Sequence, residues 1–118
     1  MIESRSPTQS GRYLEMPAGD DITLVDVLDA LADPIRLEIV RELARATELS
    51  CGVLDVPVSE STRSHHLKAL RAAGVTRTRA VGTQRLVSLR RDDLDGRFPG
   101  LLDAVLGAAT ASPAQRAG

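Results

Sequence analysis

Residues 61–75 read "STRSHHLKALRAAGV", and the handling of these fifteen residues decides the fold. At roughly 100° per residue on a helix, Leu67, Leu70 and Gly74 fall on one side. Ser61, Ser64, His65, Lys68 and Ala72 fall on the opposite side, and His66 sits on the flank of the apolar face. The two histidines of the chain are therefore adjacent in sequence but face different ways. A single helix offers a metal two ligands at i, i+3 or i, i+4 spacing, so this pair does not chelate one ion. His65 reads as part of a nucleic-acid-facing surface, and His66 as a packing residue with a hydrogen bond. Short side chains let a helix approach a major groove, hydroxyls bond phosphates or base edges, and Lys68 and Arg71 anchor the backbone.

The neighbours of this stretch place it in a larger motif. Ser59 or Ser61 can cap the helix, and Gly74 stops it as a C′ residue. Before it, "CGVLDVPVSES" leaves room for a turn or two of helix around Cys51–Asp55 and a tight turn. After it, "VTRTRAV" and "QRLVSLR" are rich in β-branched residues and separated by Gly82-Thr83, which predicts a hairpin. Upstream, Leu24, Val27, Leu28 and Leu31 have helical spacing, with Asp20 or Asp21 as the cap. Asp33 and Pro34 announce a second helix whose apolar face is Leu37, Val40, Leu43 and Ala44, flanked by Ile39. Downstream, "DDLDGRFPGLLDAVLGAAT" carries a helix capped by Asp92 or Asp93 and broken or kinked at Pro99. Leu101, Leu102, Val105, Leu106 and Ala109 form its stripe. The expected fold is mainly α with a β-hairpin wing, a winged helix-turn-helix in the order α-α-α-α-β-β-α. It spans 13–110, between a disordered tail at 1–12 and a flexible one at 111–118.

Composition sharpens the functional reading. From Ser61 to Arg91 there are eight basic residues and no acid, while the rest of the chain carries a net charge of −9. A cationic segment on an acidic body points to a polyanion footprint. Arg63, which projects toward the core side, reaches outward to phosphate by snorkelling; Arg77, Arg79 and Arg85 belong to the wing. No apolar run approaches the ~20 residues of a membrane span, and the N-terminus has no signal-peptide h-region. A cytoplasmic protein without membrane contact is expected. Cys51 is the sole cysteine, so no intrachain disulfide forms.

"LADPIRLEIV", "STRSHHLKALRAAGV" and the basic hairpin, in this order, resemble the ArsR/SmtB family of bacterial winged-helix repressors. The likeness runs from about Leu24 to Leu106. It implies a homodimer joined by the first and last helices, with Leu24, Leu28, Leu101, Leu102, Val105 and Leu106 at the seam. It also implies repression at a near-palindromic operator in double-stranded DNA. Ser61, Thr62, Ser64, His65 and Lys68 would then enter the major groove, with Arg63 and Arg71 on phosphate. Arg77, Arg79 and Arg85 would lie against backbone or an adjacent minor groove. The chain departs from the family's metal motifs. "ELSCGVL" holds one cysteine where many metal sensors have two, and the final helix has no histidine.

Zinc or nickel therefore stays open as a cofactor, with both metal motifs incomplete. Cys51, near a helix start, is the candidate thiol sensor. The third alternative is a repressor with no sensor of its own, signalled through a separate co-regulator protein. Asp92, Asp93 and Asp95 read as a helix's first turn, where carboxylates complement the dipole, not as a catalytic cluster. No Gly-rich phosphate loop or nucleophilic triad is present, so no enzyme is expected. The rival from another class is a winged helix used for protein interaction without DNA binding.

Overall fold

The computed structural model describes residues 12–116, with side chains described through Ala109. Most of the expected 1–12 tail thus lies outside the described residues. Arg12 itself is in a strand, β1 (Arg12–Tyr13). A 3-10 turn at Gly19–Asp21 leads to α1 (Leu24–Leu31). The cap of α1 is Thr23, whose hydroxyl accepts from the Asp26 amide, and not Asp20 or Asp21, which are spent in that turn. Helix α2 (Pro34–Ala44) starts as expected: Asp33 accepts from the amides of Ile35 (2.8 Å) and Arg36 (3.1 Å), and Pro34 opens the first turn. Ile39 is a centre of the core rather than a flank; with Val40 and Leu43 it is fully buried.

Strand β2 (Leu49–Ser50) runs into a single 3-10 turn, Cys51–Val53. This is the correction to the expected short α-helix over Cys51–Asp55: Gly52 and Pro57 leave too few residues for the four-residue ladder. Helix α3 (Glu60–Ala72) is capped by Ser59, whose oxygen accepts from the Thr62 amide. It ends in a Schellman motif: the Val75 amide donates to Leu70 and the Gly74 amide to Arg71. Gly74 has φ +87°, and a Cβ there would lie 2.5 Å from Cγ1 of Ile22. Only glycine fits both the left-handed backbone and the contact.

The wing is β3 (Thr76–Val81) and β4 (Gln84–Leu89). Gly82 has φ +60° and Thr83 has no positive φ, the pattern of a type II′ turn. The hairpin is widened to a four-stranded antiparallel sheet of order β1-β3-β4-β2. The sequence then forms two helices where one was expected, α4 (Arg91–Arg97) and α5 (Leu101–Arg116), separated at Phe98–Gly100. Pro99 and Gly100 (φ +84°) make that break complete. The N-cap position of α4 is Arg90, with no side-chain cap bond; Asp92 and Asp93 lie inside the first turn instead. Because α5 runs to Arg116, helix extends past the expected boundary at 110; residues 117–118 lie outside the described residues.

One core joins these elements: Val27 and Leu31 of α1, Ile39 and Leu43 of α2, Leu67 and Leu70 of α3, Val87 of β4, and Leu94 and Leu102 of the last two helices. Fully burying each such side chain contributes about 1.5–3 kcal/mol. Arginines then fasten the N-terminal segment to this body. Buried Arg90 donates to the Pro17 carbonyl (2.6 Å) and to Asp93, and Arg97 donates to the Ile22 carbonyl (2.7 Å).

Candidate nucleic-acid interface

Helix α3 turns the expected face outward. Ser61, Thr62, Ser64, His65 and Lys68 are all exposed, while Leu67 and Leu70 are buried. Ser59 organises the entry: its hydroxyl donates to Thr62 Oγ1 (3.0 Å) and lies 3.3 Å from Ser61 Oγ. The histidines separate as their helical positions require. His65 is exposed, whereas half-buried His66 accepts at Nδ1 from Nε of Arg36 (3.1 Å), which ties α3 to α2. The rings meet edge-on with centroids 5.8 Å apart. Among the described residues no group of three or more His, Cys, Asp or Glu side chains could hold a metal ion.

The cations of residues 61–91 divide into two sets. Five face carboxylates of their own chain. Arg79 forms a bidentate pair with Glu48 (2.7 and 3.2 Å) and its side chain is only 12% exposed. Arg90 and Arg77 share Asp93, at 3.0 and 3.8 Å. Arg91 reaches Asp103 at 3.3 Å, and Arg63 lies 4.0 Å from Glu60. The Nε atoms of Arg63 and Arg77 are buried without a hydrogen-bond partner among the described residues. Lys68, Arg71 and Arg85 form the second set, with no ion pair or hydrogen bond among the described residues.

Strand register explains the division in the wing. Side chains alternate between the two faces of a sheet. Ala80 pairs with Arg85 and Thr78 with Val87, on the face turned to the core and α3. Arg77 pairs with Ser88 and Arg79 with Leu86, on the other face. The signal was present in the sequence: a two-residue turn at Gly82-Thr83 fixes this register, and with it the opposite parity of Arg85. The same parity places Thr78 beside Arg85; Leu14 carried no such signal, yet both line the cleft between α3 and the wing together with Ser64, Leu67, Lys68, Arg71, Arg85 and Cys51.

Cys51 is half-buried against the core at the start of its 3-10 turn. Burial pushes its thiol above the ordinary value, against the pull of Arg63, Arg85 and Arg71. A raised pKa is the reverse of what an activated thiolate needs.

Of the residues expected at a dimer seam, Leu24 and Leu28 are 44% and 45% exposed, and Val25 beside them is 73% exposed. Leu101, Val105 and Leu106 are half-buried against the protomer's own core, and Leu102 is inside it at 3% exposure. No helix among the described residues is long and apolar enough to cross a membrane.

Comparison with known proteins agrees with this architecture. Residues 31–79 match the family profile described as a helix-turn-helix domain. The chain is 36% identical over 96 residues to the uncharacterized HTH-type transcriptional regulator YceK of Bacillus subtilis (strain 168), covering 79% of this chain and 96% of the relative. It is 34% identical over 73 residues to the arsenical resistance operon repressor of Staphylococcus xylosus, covering 61% of this chain and 70% of the relative. Among solved structures, an ArsR-like transcriptional regulator from Rhodococcus sp. RHA1 superposes with a TM-score of 0.57 at 30% identity, over 84% of this chain and 90% of that one.

Proposed function

Because the chain belongs to the ArsR/SmtB family of winged-helix transcriptional regulators, sequence-specific DNA-binding proteins rather than enzymes, we propose how this member meets its operator. Helix α3 lies in the major groove with Ser61, Thr62, Ser64, His65 and Lys68 toward the bases, and Arg71 on phosphate. The observation that carries this reading is the outward face of α3 flanked by three cations that have no ion pair or hydrogen bond among the described residues. Arg85 extends the footprint onto the wing. Arg63, Arg77 and Arg79 also belonged to the expected interface; we assign them to the scaffold, since each already faces a carboxylate of its own chain.

The protein acts as a homodimeric repressor on a near-palindromic site. The exposed Leu24, Val25 and Leu28 of α1 support a shared seam, completed by Leu101, Val105 and Leu106 of α5. Half-sites then lie about one helical turn apart, roughly 34–36 Å. The reading of a repressor without its own metal sensor, signalled through a separate partner, rests on the single Cys51 and the histidine-free final helix.

Binding to the promoter of its own operon, followed by fluorescence anisotropy against salt, tests the interface. Lys68→Ala and Arg71→Ala should each weaken binding and shallow the salt slope by about one unit, with helicity unchanged. Unchanged affinity and slope in both variants would remove them from the interface. A wild type that binds no promoter DNA would favour the protein-interaction reading.

A further inference from the structure

The cleft between α3 and the wing has about 260 Å³ of space. Its cations come from two independent elements: Lys68 and Arg71 from one edge of α3, and Arg85 from the helix-facing side of β4. None of the three forms an ion pair among the described residues, although Glu15 lines the neighbouring depression beside Lys68 and Arg71. Like charges gathered in a concave site repel one another, and a ligand of opposite sign relieves that repulsion. The lining also supplies hydroxyls. Ser64 is exposed at the rim, and Thr78 is buried with no hydrogen-bond partner for its Oγ1 among the described residues. An orphaned hydroxyl on a cleft wall is a polar group waiting for an acceptor or donor. Two guanidinium forks, an ammonium and two hydroxyls match the oxygens of a compact dianion.

We propose that this cleft binds a small, doubly charged oxyanion of the phosphate or phosphate-monoester class, and that its occupancy competes with DNA for Lys68, Arg71 and Arg85. The competition half rests on the operator reading above; the binding half does not. A free dianion engages all three cations at once in the cleft. DNA, with singly charged phosphodiesters fixed in a backbone, meets the same cations only in their outward reach. Occupancy therefore removes all three cations from DNA without any change of fold.

Inorganic phosphate is the probe, titrated into the isotopically labelled protein without DNA, at fixed pH and at ionic strength held constant with sodium chloride. The expected result is saturable shifts of the amides of Ser64, Thr78 and Arg85, with affinity at least tenfold weaker in Arg85→Ala and partly restored in Arg85→Lys. Arg85 is exposed, so the folded state of these variants is checked by unchanged far-UV dichroism. Linear shifts spread over all basic surfaces, or an affinity indifferent to Arg85, would overturn the site as an adventitious ion only. In the second arm, phosphate at constant ionic strength should raise the apparent Kd for promoter DNA in proportion to occupancy. Saturable phosphate binding with an unaltered DNA Kd would overturn the competition. Saturable phosphate binding by a protein that binds no promoter DNA would leave the site standing and bring down the operator reading instead.

Discussion

Single residues fix the ends of the elements, and their energies can be separated. Burial works against the Asp33 carboxylate, but the amides of Arg36 and Ile35, with the nearby His66 and Arg36 side chains, outweigh it and hold its pKa below the ordinary 3.8. A depressed folded pKa means that the cap stabilises fully above the unfolded value and fails as pH falls through the folded one. Asp33→Ala should cost about 1 kcal/mol at pH 7 by urea unfolding. That difference should shrink as pH falls below the ordinary carboxylate value of 3.8 and the wild-type carboxyl protonates. The two histidines should fail in opposite ways. His65→Ala removes an exposed ring and should lower operator affinity, by about 1–3 kcal/mol if the ring meets a base edge, while sparing Tm. His66→Ala leaves Nε of Arg36 without its acceptor and should lower stability by about 1–3 kcal/mol while α3 keeps its exposed face. Thermal melts and anisotropy on the same two variants check both. Identical behaviour would contradict the separation of faces.

At the scale of elements, the wing is a hairpin with two chemically different sides. Arg79→Ala should lower Tm, because it strips Glu48 of a bidentate partner on the sheet's outer face, and should leave the salt slope of DNA binding unchanged. Arg85→Ala should reduce that slope and leave Tm alone. A reversal of the two effects would show that Arg79, not Arg85, lies on the DNA-facing side. The sequence made the helices and the hairpin legible because both have a period: Leu67 and Leu70 stay on one face of α3, and Gly82 punctuates β3 and β4. Strands of two residues have no period, so β1 and β2 were not legible; only the long-range pairing of Tyr13 with Arg79 and of Ser50 with Leu86 defines them. The basic run was legible as charge but not as surface. Acids distant in sequence, such as Glu48 against Arg79, or outside the run, such as Asp93 against Arg77, decide which arginines remain open. Likewise "SHHL" showed that the histidines diverge, but nothing in it identifies Arg36, thirty residues away, as the partner of His66.

For the whole molecule, the question is how two copies meet. Leucines that look alike in the sequence divide by exposure. Leu28→Glu places a charge on an already half-open position, so the protomer should stay folded while the dimer dissociates. Leu102→Glu puts an unpaired carboxylate inside the core and should unfold the chain. Sedimentation at micromolar concentration, with dichroism, distinguishes the outcomes: a folded monomer for the first variant and lost helicity for the second. A Leu28→Glu variant that remains a dimer would move the seam away from α1.

Gly74 closes the end of α3 with only Val75 between it and β3, and with Ile22 pressed against its missing side chain. That leaves the helix and the hairpin little freedom to swing relative to one another. An operator whose groove width or curvature departs from what this fixed angle demands must itself be bent to fit, at a cost of order 1–6 kcal/mol for a substantial bend. The base pairs between the α3 contact and the wing contact, which no side chain touches, would then be selected for their flexibility.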